Sequence, residues 1–181
     1  MTIQEFVYTL PEFETLLRQP ENNNRSIELI HGTVVEKMAP TQEHGYIAAN
    51  VSGELRAHVK PRDLGRVSVE TAHTSTDDTY NYRIPDVSFV SGDALTKQGA
   101  VPHMPDLAVE IKSPDDSYAE LREKANYYLT NGAKLVWLIF PDKQRVEVHT
   151  PDEVTTLEAD DTLDGGDVLP DFKIAVSVLF D

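Results

Sequence analysis

Two hydrophobic rhythms alternate along the chain. Where apolar residues recur every third or fourth position a helix is predicted, and where they alternate with polar ones a strand. Thr9-Leu10-Pro11-Glu12 has capping-box spacing with a proline tolerated in a first turn, and Phe13, Leu16 and Leu17 continue a helical stripe. Residues 21–24 are a polar loop. Residues 26–38 read as a hairpin, two alternating runs around His31-Gly32. After Ala39-Pro40, a second helix carries His44, Ile47, Val51 and Leu55 on one face and ends near Lys60-Pro61. His44 stands in line with that buried stripe, in its first turn.

Three strands are predicted next, over residues 66–76, 83–90 and 106–112, with a Gly-, Pro- and Lys-containing loop at 91–105 before the last. Ser113-Pro114 closes the third. A helix over 117–131 carries Tyr118, Leu121, Ala125 and Tyr128 and stops at Gly132. Residues 134–140 form an apolar run after Lys134, which suits a buried parallel strand. A hairpin over 145–149 and 154–157, a Gly165-Gly166-Asp167 turn and a last strand over 173–180 complete the pattern. No repeat or linker interrupts it. The expectation is one domain over residues 1–181, a mixed α/β sheet flanked by helices.

Composition narrows the chemistry. At 181 residues the chain can bury a substantial core. It holds no cysteine, which excludes disulfides, zinc–thiolate sites and thiol catalysis. Residues 1–5 show no basic region followed by an apolar run, and no apolar run approaches membrane-spanning length, so a cytoplasmic protein without membrane partners is expected. The net charge of −15 argues against tight binding to polyanions, because phosphate contacts dominate nucleic-acid affinity.

Against that field, one constellation points to phosphodiester chemistry. Pro85-Asp86 puts an acid at one strand, and Glu110-Ile111-Lys112 puts an acid and a lysine on the next. Residues 110 and 112 share a face if the strand continues through both. Clustered carboxylates repel unless a cation or proton compensates, and oxygen-only ligands favour magnesium or manganese over zinc. A nearby ammonium steadies developing negative charge. Plain alternatives stand beside each residue. Asp86 can be a solvent-facing strand residue, Glu110 the exposed face of a half-buried sheet, and Lys112 a solvated side chain or the ion-pair partner of Glu110. Arg83 reads either as facing a phosphate or, more simply, as pairing with Glu70 or an aspartate. Asp77-Asp78 and Asp115-Asp116 read as turn and helix-start residues.

The order and spacing of these motifs resemble the PD-(D/E)XK restriction-endonuclease-like superfamily, and the whole chain resembles its Uma-type family. The matching segments are residues 27–32, Met38-Ala39-Pro40 with His44, residues 83–87, and residues 105–111 with Ser113-Pro114. Lys124, Tyr128, Gly132-Ala133, Val136-Trp137-Leu138 and residues 166–170 with Phe172 complete the match. The resemblance implies an αβββαβ core and metal-dependent endonuclease action on DNA, using Mg2+ or Mn2+. Asp86, Glu110, Ile111 and Glu28 take its metal-ligand positions, and His44 matches its recurring histidine. Many Uma-type members take their lysine from the following helix rather than from the strand. This chain has both Lys112 and Lys124, so the assisting lysine stays open. Glu28 also reads as a hairpin residue, His44 as a helix-start or core-edge residue, and Lys124 as a lysine reaching water beside a buried stripe. The resemblance also implies a homodimer. A second reading is a catalytically silent, dimeric interaction protein that kept the nuclease fold.

Overall fold

The computed structural model describes residues 6–92 and 97–181. Residues 1–5, read above for a leader signal, and residues 93–96 of the 91–105 loop lie outside the described residues.

The N-terminal unit forms as its pattern predicts. Helix α1 (Leu10–Leu17) starts with Glu12 Oε2 accepting the Thr9 N–H at 2.8 Å. Strands β1 (Ile27–Ile30) and β2 (Thr33–Glu36) pair antiparallel around His31 and Gly32, whose φ angles of 50° and 78° make the turn left-handed. Phe13 packs against Ile27 and Leu29 beneath α1. Helix α2 (Gln42–Arg62) is capped by Thr41, whose hydroxyl accepts the His44 N–H at 3.2 Å.

The chain then weaves between two sheets. Strands β3 (Gly65–Val69), β6 (Val87–Ser91), β7 (Leu107–Ile111), β8 (Leu135–Phe140), β9 (Arg145–His149) and β10 (Val154–Leu157) form a six-stranded sheet in the order β10-β9-β8-β7-β6-β3. Only β7 and β8 are parallel in it, joined through helix α3 (Tyr118–Thr130). Strands β4 (His73–Ser75) and β5 (Asp78–Arg83) join the N-terminal hairpin in a sheet ordered β2-β1-β5-β4. A short pair, β11 (Thr162–Asp164) with β12 (Lys173–Ala175), packs near the C-terminus. The succession α2-β3-β6-β7-α3-β8 is the expected αβββαβ core, and the sheet is mixed and flanked by helices.

Both faces of the central strands are covered. Leu107, Val109 and Ile111 of β7 pack with Ile47, Val51 and Leu55 of α2. Ala108 packs on the opposite face with Leu121, Ala125 and Tyr128 of α3. Glu110 shares that second face by strand alternation. A solvent-exposed Glu110 is therefore excluded. Among the described residues, no helix is long and apolar enough to cross a membrane.

Three predicted strands are corrected. Residues 66–76 divide into β3 and β4 in different sheets, because Glu70 adopts φ 47° and turns the chain. Residues 83–90 divide at Ile84-Pro85-Asp86: Arg83 ends β5 and β6 begins only at Val87. Most of β5 lies between the predicted strands, in residues 79–82, to which the pattern assigns no element, although Tyr80 and Tyr82 alternate as strand residues should. Residues 173–180 keep only three strand residues, after which a 3-10 helix (Val176–Leu179) buries Val176 and Leu179.

Candidate active site

The pairing of β6 with β7 builds the centre of the site. Val87 is registered with Val109, so Asp86, just before β6, and Glu110, next along β7, stand at the same end of the antiparallel ladder. Both are buried, at 4% and 2% exposure. Asp86 Oδ2 accepts the Ile111 N–H at 2.8 Å, which ties the acid to the end of β7. Its Oδ1 accepts Lys37 Nζ at 3.2 Å, and His44 Nε2 stands 3.4 Å from Oδ2. Lys37 directly follows β2, so the hairpin delivers it; it also donates to the Ile84 carbonyl at 3.1 Å. His44 reaches in from the first turn of α2, with Nδ1 3.3 Å from Ser113 Oγ.

Glu110 is held by helix α3. Tyr128 O–H donates to Oε1 at 2.7 Å and Lys124 Nζ to Oε2 at 3.0 Å. These two donors are one helical turn apart on α3, so one helix face serves both carboxylate oxygens. Glu28, 2% exposed on β1, accepts the Ile84 N–H at 2.6 Å through Oε1. It thereby clamps the Ile84-Pro85-Asp86 connector between the two sheets.

The two central acids are driven in opposite directions. Burial alone would raise the Asp86 carboxyl, but the His44 hydrogen bond, the Lys37 and His44 charges and the Ile111 N–H outweigh it and hold the pKa at about 2. Burial raises Glu110 and prevails over Lys124, with Asp86 and Glu28 adding like-charge repulsion. Burial opposes the charge on Lys37, Lys124 and His44, yet the surrounding acids push all three upward. Carboxylates whose environments separate their proton affinities are the usual hardware of acid–base work.

Glu28, Asp86, Glu110 and Ile111 line one cleft of about 800 Å³, together with Lys37, His44, Arg83, Ser113 and Lys124. Its carboxylates suit a hard, oxygen-preferring divalent cation in kind and number. Among the described residues, no three His, Asp or Glu groups already stand at metal-ligating spacing. Instead Lys37 and Lys124 occupy carboxylate oxygens that such a cation would take, so those ammonium groups must yield for one to enter. Lys112 lies elsewhere. The strand ends at Ile111, and Lys112 Nζ donates to the Ser113 carbonyl at 3.0 Å and stands 5.5 Å from the centre of the Tyr118 ring. It does not pair with Glu110. Asp116 serves the helix-start loop, accepting the Ser113 N–H at 2.8 Å. Lys37 was not singled out from sequence, because one lysine after a hairpin strand carries no local signature.

These features match a known family over nearly the full length of the chain. The family described as "Putative restriction endonuclease", Uma2, matches residues 10–177. The chain belongs to the Uma2 family. A crystal structure titled as that of "a putative nuclease belonging to DUF820 from Anabaena variabilis ATCC 29413" shares the fold, with a TM-score of 0.81 and 26% sequence identity. The match covers 96% of this chain and 97% of that one. No curated protein matches the sequence. Within the Uma2 chain, the cleft bears a negative balance: among its described lining residues nine Asp and Glu face four Lys and Arg.

Proposed function

We propose that this Uma2 protein is a Mg2+- or Mn2+-dependent endonuclease that hydrolyses DNA phosphodiester bonds in the cleft between its two sheets. The observation that carries the reading is the buried pair Asp86 and Glu110, which line one cleft at the Val87–Val109 end of the β6–β7 ladder, each bonded to a lysine. Asp86, Glu110 and Glu28 would hold the cation, with the main chain at Ile111 alongside. When bound, such a cation lowers the pKa of a water and polarises a phosphoryl oxygen. Lys124 lies at the site and supplies positive charge where negative charge develops, which favours it over Lys112 as the assisting lysine. His44, raised in pKa and held by Ser113 and Asp86, keeps a proton at the cleft wall. Family membership and the likeness to the Anabaena variabilis protein support the same reading.

The test is cleavage of supercoiled plasmid with added Mg2+ or Mn2+, repeated with Asp86→Ala and Glu110→Ala. Cleavage only by the unaltered protein is expected; equal cleavage by all three removes the assigned site. One observation favours a second reading, that of a silent interaction protein: every oxygen of Asp86 and Glu110 already has a protein partner. A folded protein that gives no calorimetric heat with either metal and cuts no DNA would select it.

A further inference from the structure

Four basic side chains of the described residues line the cleft, and three of them are committed. Arg25 pairs with Glu36 at 2.7 Å, Lys37 with Asp86 at 3.2 Å and Lys124 with Glu110 at 3.0 Å. Arg83 is the fourth. The simple expectation from sequence was an ion pair with Glu70 or an aspartate, and among the described residues Arg83 forms none. Its guanidinium makes no hydrogen bond among them either, and Nε is buried without a partner. Yet the residue is only 3% exposed.

Two acids of the same cleft are held by other groups. Glu28 accepts from the Ile84 main chain, and Glu110 accepts from Tyr128 and Lys124. What holds Arg83 in place is the Tyr127 ring, with Cζ 4.5 Å from its centroid. That ring is itself fixed, since Tyr127 O–H donates to Asp78 Oδ2 at 3.0 Å. A buried cation without an anion is destabilising, and an aromatic face returns only part of the lost hydration. The arrangement costs stability and leaves a planar fork of N–H donors at the cleft, oriented in advance. That fork matches two oxygens of a phosphate better than an ammonium does.

We propose that Arg83 is the anion-binding residue of this cleft, gripping a phosphodiester phosphate of the nucleic-acid strand beside the Asp86–Glu110 centre. The identity of that phosphate rests on the nuclease reading; the anion site does not.

The experiment uses the full chain and inorganic phosphate as probe, with calorimetry and thermal unfolding on the unaltered protein, Arg83→Met and Arg83→Lys. The unaltered protein binds phosphate. Arg83→Met weakens binding at least tenfold while its Tm stays level or rises, since an unpaired buried charge has been removed. Arg83→Lys keeps the charge but loses the fork, and weakens binding at least threefold. In plasmid cleavage Arg83→Met raises KM more than it lowers kcat. Phosphate binding that is absent from the unaltered protein, or unchanged in the variants, overturns the proposal. So does a fall in Tm with phosphate affinity intact, which is the outcome of a merely structural stack on Tyr127. If Arg83→Met does not fold, Arg83→Lys decides by the same affinity comparison. Phosphate binding lost with Arg83, in a protein that cuts no DNA, upholds the anion site and refutes the nuclease reading. DNA cleavage with kinetics and phosphate affinity indifferent to Arg83 does the reverse.

Discussion

Lys124 Nζ lies 3.0 Å from Glu110 Oε2, joining α3 to the covered face of the central sheet. The Glu110 side chain is almost fully buried and that of Lys124 is one-fifth exposed. Removing one partner of such a pair strands the other charge. Lys124→Ala is expected to lower stability by about 3 kcal/mol and cleavage by about 100-fold or more, whereas Lys112→Ala leaves both close to unaltered values. Urea unfolding and plasmid cleavage on the two variants check this. An equal or larger catalytic loss from Lys112→Ala would assign the assisting role to Lys112 instead.

Lys37 holds Asp86 Oδ1 at 3.2 Å, an oxygen that the cation of the proposed mechanism would also need. Lys37→Met removes the competitor, so Mg2+ and Mn2+ are expected to bind more tightly, by about tenfold for an interaction of roughly 1.4 kcal/mol. The measurement is the metal-dependent rise in Tm, which follows affinity by mass action. Weaker metal binding in Lys37→Met would show that Lys37 organises Asp86 rather than blocking it.

The Tyr128 hydroxyl is buried and donates to Glu110 at 2.7 Å. Tyr128→Phe keeps the ring packing beneath the sheet and deletes only this donor. A loss of about 1.5–3 kcal/mol is expected, the range for a hydrogen bond to a charged group. Chemical denaturation compares the two proteins directly. No change in midpoint would mean that Lys124 alone satisfies the carboxylate.

His73 provides a pH dependence away from the acids. It is fully buried, with Nδ1 2.9 Å from the His103 carbonyl and Nε2 3.1 Å from Ser88 Oγ. The carbonyl can only accept, so Nδ1 carries the proton and neutral Nε2 accepts from Ser88. Burial pulls the pKa down from 6.5 to about 4. The unfolded chain takes up this proton near pH 6.5 and the native protein only near pH 4. Stability therefore falls as pH drops from 6.5 towards 4, by up to roughly 3 kcal/mol, and is insensitive to this ring above 6.5. His73→Gln should flatten that part of the Tm–pH curve relative to the unaltered protein. A parallel curve for the variant would assign the acid sensitivity to other groups.

The local parts of this fold are readable in order along the chain. The α1 N-terminus follows from Thr9 and Glu12, which form the cap bonds at 2.8 and 2.7 Å. The first hairpin follows from Gly32, and the apolar 134–140 run from a strand covered on both faces. Each depends on residues within a few positions of one another, where periodicity and turn chemistry act directly. Asp86 and Glu110 were visible for the same reason, as acids set into apolar strands beside a proline and a chain break. The division of residues 66–76 was not visible, because a non-glycine residue at φ 47° leaves no mark in the hydrophobic pattern.

The partners of those acids depend on contacts between segments distant in sequence. Lys37 meets Asp86 across 49 positions, and Glu28 meets the Ile84 main chain across 56. Lys112 and Lys124 are equivalent candidates as letters, and only the end of β7 at Ile111 turns one away while α3 brings the other in. Arg83 reads in sequence as one half of an ion pair, and only the packing shows its guanidinium stacked on Tyr127 with no acid paired to it among the described residues. Sequence patterns record which face of an element is buried; which charge finds which partner is decided when the sheets and helices close on one another and exclude water.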